Sequence, residues 1–144
     1  MATNFWGEGN IGTKPEFREI PNGNNEPRRL LRLNVYFDNP VSKGGGEYED
    51  RGGFWAGVDV WHKEAERYSD LYCKGMRVLV IGRMILEKWE DDSGNECRAM
   101  KVQASRVGIL PHRIDRVVMM VQERPVPEAD EQMVIRLSAS DGAQ

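Results

Sequence analysis

Little in these 144 residues points to bond-making chemistry. There are two cysteines and two histidines. Cys73 and Cys97 fall on a predicted helix end and a predicted hairpin with no framework spacing, so reduced thiols fit better than a disulfide. A zinc site built from Cys73, Cys97, His62 and His112 would need four unrelated segments to converge, and no metal or cofactor is expected. Neither histidine has a nucleophile at useful spacing, and Glu90, Asp91 and Asp92 lie on a predicted turn, where carboxylates read as a solvated tip. An enzyme is therefore not expected. No apolar run approaches the ~20 residues of a membrane span, and Met1 to Gly12 lacks the basic start and apolar middle of a signal peptide, so a cytoplasmic protein without a membrane partner is expected. A basic excess is also missing: 20 Lys and Arg face 23 Asp and Glu, for a net charge of −3. Any surface that attracts a polyanion must then be a local patch on one face.

What the chain does have is tryptophan in an unusual place. Gly52 to Lys63 alternates as a strand, with Phe54, Ala56, Val58 and Val60 on one face and Trp55, Gly57, Asp59 and Trp61 on the other. The first set is a core face. The second is the polar side of the alternation, yet it carries two of the four tryptophans with small or charged residues between them. Six residues at ~3.3 Å each put those indoles about 20 Å apart, with room for flat rings along the strand. The same layout fits a stacking platform or a strand buried on both faces, since tryptophan is often buried.

Taken in order, Asn4 to Gly12 reads as a short strand, followed by a turn-rich excursion through Pro15, Pro21, Asn22 and Gly23. Arg28 to Phe37 is a clear strand. Leu31, Leu33, Val35 and Phe37 share its inner face, and Leu30, Arg32, Asn34 and Tyr36 its open face. Asp38 to Gly53 is a loop of roughly fifteen residues with glycines at 44, 45 and 46, read as a flexible flap. Glu64 to Lys74 has helical spacing, with Ala65, Tyr68, Leu71 and Tyr72 on one face and Gly75 in the capping position. Arg77 to Trp89 and Arg98 to Val107 form a long hairpin around a polar tip, with Met100, Val102 and Ala104 turned inward. The expected fold is all-β with one short helix: a five-stranded OB-fold barrel, helix between the third and fourth strands, with long hairpin arms. Residues 1–111 form the barrel domain and 112–144 a C-terminal extension.

The ordered motifs resemble bacterial single-stranded DNA-binding proteins of the SSB type. They are Gly9-Asn10-Ile11-Gly12 with Pro15 and Glu16, then Pro21-Asn22-Gly23, the Trp55 strand, Tyr72 with Lys74-Gly75, and Lys88-Trp89 followed by Asp92-Ser93-Gly94. The resemblance covers about residues 4 to 109 and implies a homo-oligomer, tetramer or dimer, whose strand faces and arms hold single-stranded DNA. It implies that Trp55, Trp61 and Trp89 stack bases, Trp61 standing where relatives usually carry phenylalanine, and that Arg18, Lys63, Lys74 and Lys88 contact phosphate. Tyr36, Arg28 and Arg32 join them as the ring and cations of the neighbouring open strand face. DNA replication, recombination and repair are the implied processes, in a cytoplasmic, nucleoid-associated setting.

Three departures stand out. Ala56 replaces a histidine that supports subunit association. Ile85, Leu86 and Glu87 dilute the basic run before Trp89. The family's acidic tip with a terminal phenylalanine is replaced by Ser138 to Gln144, so recruitment of repair and replication proteins by that route is not expected. Instead Val117 to Val121 and Met133 to Leu137 are apolar runs divided by Pro125 and Pro127, and residues 114–122 are expected to pair as an extra strand, on their own barrel or across a subunit interface. Such divergence suits a mobile or accessory replicon. The alternatives are a primosomal or conjugation-linked OB protein acting through a helicase or relaxase, and an RNA-binding OB protein.

Overall fold

The computed structural model describes residues 3–121. Its strands are β1 (Asn4–Ile11), β2 (Glu16–Asn22), β3 (Asn25–Phe37), β4 (Pro40–Gly44), β5 (Glu47–Asp50), β6 (Phe54–Trp61), β7 (Arg77–Glu90) and β8 (Glu96–Ile109), with one helix, α1 (Ala65–Leu71), between β6 and β7. The large sheet runs β1-β7-β8-β6-β3-β2, and an additional β1–β3 pairing closes β1, β7, β8, β6 and β3 into a ring. This is the five-stranded OB barrel, with β2 lying beside the outer half of β3. One edge of β3 serves β6, while its other edge is shared by β2 and β1.

Alternation builds the interior. Leu31, Leu33, Val35 and Phe37 of β3, Ala56 and Val58 of β6, Val78 and Val80 of β7 and Val102 of β8 are all buried in one cluster. Each of these four strands thus offers one apolar face, and closure removes those faces from water together. The helix covers an open end: Ala65 is fully buried, Tyr68 and Tyr72 pack on the cluster, and the Tyr72 hydroxyl donates to the Val107 carbonyl at 2.7 Å. Along β8 the inward set changes phase. Ile81 pairs with Arg106 but Gly82 pairs with Ala104, leaving Ser105 as an extra residue. Val102 and Ala104 face inward before it and Val107 after it, so the bulge lets one strand serve two stretches of wall. Gly82 is required there, because a Cβ would lie 2.3 Å from the Gln103 carbonyl oxygen.

Several local expectations are corrected. The excursion after residue 12 contains strand β2, turning at Gly23 with φ +60° into a β3 that begins at Asn25. Its inward residues are too few and too partly buried to show periodicity. The flap is instead the β4–β5 hairpin, turned by Gly44, Gly45 and Gly46, all at positive φ. The helix stops at Leu71, which is exposed, and Tyr72 is already extended; Gly75 takes φ +94° in the turn into β7, donating to the Ile11 carbonyl at 2.7 Å. Leu30 is buried although it belongs to the outer face, and Met100, expected inside, is exposed on the arm beyond the barrel wall. Residues 114–121 form no strand on their own barrel, and Val117 to Val121 are exposed. Residue 122 and the run Met133 to Leu137 with Pro125 and Pro127 lie outside the described residues.

Candidate nucleic-acid interface

The outer face of β3 and β6 is a two-column array set by strand register. Leu30 stands opposite Trp61, Arg32 opposite Asp59, Asn34 opposite Gly57, and Tyr36 opposite Trp55. Trp55 is 60% exposed, yet it is not loose. Its ring lies on the backbone of Gly12, where a Cβ would come within 2.3 Å of ring carbons, and Tyr36 flanks it at 5.3 Å between centroids. The Tyr36 hydroxyl donates to the Asp50 carboxylate at the root of the β4–β5 hairpin, and Asp50 also accepts from the Asn39 amide at 2.8 Å. That tyrosine bond raises the Tyr36 pKa and lowers that of Asp50, so at neutral pH the pair is a neutral phenol bound to a carboxylate. Tyr36 and Trp55 therefore present two adjoining rings whose positions are fixed from below and from one side.

Between the two β6 tryptophans the face is electrostatically settled. Asp59 is only 1% exposed and is held by Arg32 at 2.9 Å and Lys101 at 2.9 Å, with Lys101 reaching Glu87 at 3.5 Å. Burial pushes the Asp59 carboxyl up, but the hydrogen bonds and charges of Arg32 and Lys101 outweigh it and hold the group below the ordinary carboxylate value. Arg32 is raised by the same partner. The cluster links β3, β6 and β8 where β8 pairs parallel to β6 over Gly57, Val58 and Asp59. Arg32 was expected to contact nucleic acid as a cation of the open face; much of its charge is already answered inside the protein.

Trp61 is half-buried, and the Arg28 guanidinium carbon sits 4.0 Å from its ring centroid, a cation–π contact. Lys63 borders the same shallow hollow as Arg28 and Trp61. Arg28, Lys63, Lys74 and Lys88 form no ion pair among the described residues, whereas Arg18 pairs with Glu16 at 2.8 Å. Arg18 nevertheless stands beside the platform, opposite Leu30 in register. Lys74 directly precedes Gly75, whose amide bonds Ile11, the neighbour of the glycine beneath Trp55. Trp89 and Lys88 are elsewhere: Trp89 lies opposite Cys97 near the end of the β7–β8 arm, 47% exposed.

The structure thus brings Trp55, Tyr36, Trp61, Arg28, Arg18 and Lys63 onto one side of the barrel and leaves Trp89 and Lys88 on an arm. Two residues escaped the sequence. Gly12 read as a bend, and only its contact with Trp55 gives it a place in the platform. Trp6 read as a bulky strand residue, but it is 72% exposed on the outer face of β1 and borders one hollow with Trp61. Its alternation with the buried Phe5 could have signalled this. Among the described residues no group of three or more His, Cys, Asp or Glu is placed to hold a metal, and no helix is long and apolar enough to cross a membrane.

The chain resembles known proteins over this same barrel. A single-stranded DNA-binding protein from Corynebacterium glutamicum is 31% identical over 107 residues, 74% of this chain and 46% of that protein. One from Deinococcus radiodurans is 30% identical over 108 residues, covering 71% and 32%. The chain accordingly spans half or less of the length of these two relatives. Among solved structures, a small single-stranded DNA-binding protein from Streptomyces coelicolor superposes with a TM-score of 0.62 at 19% identity, covering 76% of this chain and 94% of that one. A Plasmodium falciparum SSB in complex with ssDNA gives 0.59 at 18%, covering 76% and 96%. At such identities the superpositions establish the shared barrel. The model of the Single-strand binding protein family matches residues 6–110, and with it the chain belongs to that family.

Proposed function

We propose that this protein binds single-stranded DNA without regard to sequence, by stacking bases on the barrel's outer rings and holding phosphates with the cations around them. The observation that carries the reading is Trp55: an indole largely open to water, yet seated on Gly12 and flanked by an anchored Tyr36. A ring fixed in place loses little freedom when a base lands on it, and stacking contributes on the order of 1 to 3 kcal/mol per base for any base, since each has a π-face. Trp61 offers a second ring, and Arg28 beside it supplies charge where the phosphate following a stacked base would lie. Trp89 and Lys88 reach the strand from the arm. Arg18, Lys63 and Lys74 complete the cationic surround, and Arg32 adds the part of its guanidinium that Asp59 leaves exposed. Phosphate contacts release counterions, so affinity falls as salt rises.

The reading has no catalytic step, and it goes with a cytoplasmic, nucleoid-associated protein serving replication, recombination, repair or transfer of a mobile element. It also includes association of several copies, with residues 114–122 adding a strand across the subunit interface. The exposed run Val117 to Val121 favours that covering, because an uncovered apolar stretch invites aggregation. The same run supports a second reading, in which it docks a replication or conjugation protein and DNA binding is secondary.

A fluorescence titration with poly(dT), matched RNA and duplex DNA tests the proposal. Poly(dT) at low salt is expected to quench tryptophan emission strongly, duplex far less, with an affinity that declines steeply with salt. Unchanged emission with poly(dT) would reject the stacking platform, and equal or stronger quenching by RNA would turn the assignment to the RNA-binding alternative.

A further inference from the structure

We propose that Asp59 is a positioning residue that limits the grip of the barrel face on a strand, by holding Arg32 and Lys101 back from phosphate midway between the two β6 tryptophans; this rests on the single-strand reading just given. Asp59 stands on the outer column of β6, two residues from Trp61 and four from Trp55. At ~3.3 Å per residue it lies about 7 and 13 Å along the strand from the two rings, so a ligand stacked on both carries its backbone past this row. The cations of the row are committed. Arg32 gives Asp59 two hydrogen bonds, from Nε to Oδ1 at 2.9 Å and from Nη2 to Oδ2 at 3.3 Å, and Lys101 Nζ donates to Oδ2 at 2.9 Å. Lys101 also faces Glu87 at 3.5 Å, so two positive and two negative side chains meet there and cancel.

Charge on this face is free at the flank and cancelled at the centre. Arg28 and Lys63 border the hollow beside Trp61 and form no ion pair among the described residues. In the Asp59 row the carboxylate is only 1% exposed, while the Arg32 and Lys101 side chains are 31% and 20% exposed, so the cations lie over it and are what a passing strand meets. A phosphate reaches them only in competition with the carboxylate beneath. Drawing a cation away leaves a buried charge short of a partner, a costly state, so the internal pairing prevails. Asp59 is ionised at neutral pH, because burial pushes its carboxyl up but the hydrogen bonds and charges of Arg32 and Lys101 outweigh it. The middle of the face therefore holds a strand by its rings, and binding releases fewer counterions than the number of cations on the face would give. Asp59 acts through Arg32 and Lys101 and touches no ligand itself.

The test uses the full chain with Asp59→Asn, Glu87→Gln, the double variant Asp59→Asn with Arg32→Gln, and two references. Asp115→Asn removes one negative charge outside the barrel, where Asp115 pairs with Arg116. Trp55→Ala removes a stacking ring. Affinity for a dT oligomer is measured as a function of salt, beside the urea midpoint of each variant. Asp59→Asn is expected to bind tighter although it is less stable, with a log–log salt slope steeper by about 0.7, the value of one further phosphate contact on a single strand. Its advantage should shrink about 2.5-fold between ~50 and ~200 mM salt. Glu87 is 48% exposed, so Glu87→Gln keeps the fold and is expected to give a smaller steepening by releasing part of Lys101. Adding Arg32→Gln to Asp59→Asn should take the gain back, and Asp115→Asn should leave the slope where it was. A slope in Asp59→Asn equal to or shallower than wild type, with Trp55→Ala weakened, overturns this role of Asp59 and leaves the single-strand reading standing. A steepening that Asp115→Asn matches overturns it too, since net charge then accounts for the effect. If Asp59→Asn does not fold, the sign of the Glu87→Gln shift decides. Wild type and Trp55→Ala binding alike overturns the single-strand reading itself.

Discussion

The barrel face and the β7–β8 arm carry the same kinds of residue in opposite physical states. On the face, Trp55 rests on backbone, Tyr36 is tied to Asp50, and Arg32 and Lys101 are committed to a buried carboxylate. On the arm, from Leu86 to Met100, almost every side chain is exposed, and Trp89 stands without an aromatic neighbour among the described residues. The difference teaches that, under the proposed function, the two regions would contribute to binding in different ways. The face would supply rings already ordered on folding, whereas the arm would supply reach and be ordered only when the ligand arrives.

The contrast is broken most forcefully from beneath. Val58→Ala removes a fully buried side chain on the inner side of the Trp strand and is expected to lower stability by about 2 to 3 kcal/mol, read by urea denaturation, while an arm substitution such as Met100→Ala is expected to change it by under about 0.5 kcal/mol. Comparable losses would mean the arm is packed after all. Next is Asp59→Asn, expected to cost about 1.5 to 3 kcal/mol through its charged hydrogen bonds. Because the folded carboxyl is held below its ordinary value of about 3.9, the stability it contributes is complete above that pH and is lost as pH falls through the depressed folded value. The gap between wild type and Asp59→Asn in denaturation midpoint should therefore close in acid; a gap independent of pH would show that the ion cluster is not its source.

Binding separates the regions more finely. Trp55→Ala is expected to weaken single-strand affinity by about 1 to 3 kcal/mol with little change in thermal midpoint. Gly12→Ala sharpens this, since its methyl displaces the indole without deleting it; titration should show a smaller loss than Trp55→Ala, together with an altered emission spectrum of the free protein. Full affinity in Gly12→Ala would mean that seating the ring contributes nothing. The smallest effect is expected for Trp89→Ala, below about 1 kcal/mol, because its stacking must offset the ordering of the arm. A loss as large as that of Trp55→Ala would erase the distinction between face and arm.

How much of this was legible in the sequence depends on the range of the interaction. The inner faces of β3 and β6 were readable because alternation is local: Leu31, Leu33, Val35 and Val58 are buried as the pattern required. The helix position and the long hairpin were readable for the same reason. Strand β2 was not, since its side chains are mostly exposed and its Pro21, with Pro15 and Gly23 on either side of the strand, read as turns. The fate of Arg32 could not be read either, because Asp59 and Lys101 reach it only after β3, β6 and β8 are brought together. Gly12 falls under the same limit: it acquires its contact from Trp55, far along the chain.

The parallel seam between β6 and β8 has a consequence for the order of events in folding. It joins residues near 58 to residues near 102 through only three register pairs, while the hairpin β7–β8 and the β3–β6 pairing are longer and antiparallel. The loop closed by the seam encloses α1, all of β7 and the start of β8, so its entropy is lost before its few bonds form. The two halves should therefore assemble first and latch afterwards, with Asp59 as the bolt between Arg32 and Lys101. In hydrogen exchange the amides flanking that latch would open before the rest of the barrel, and acidification would draw the bolt.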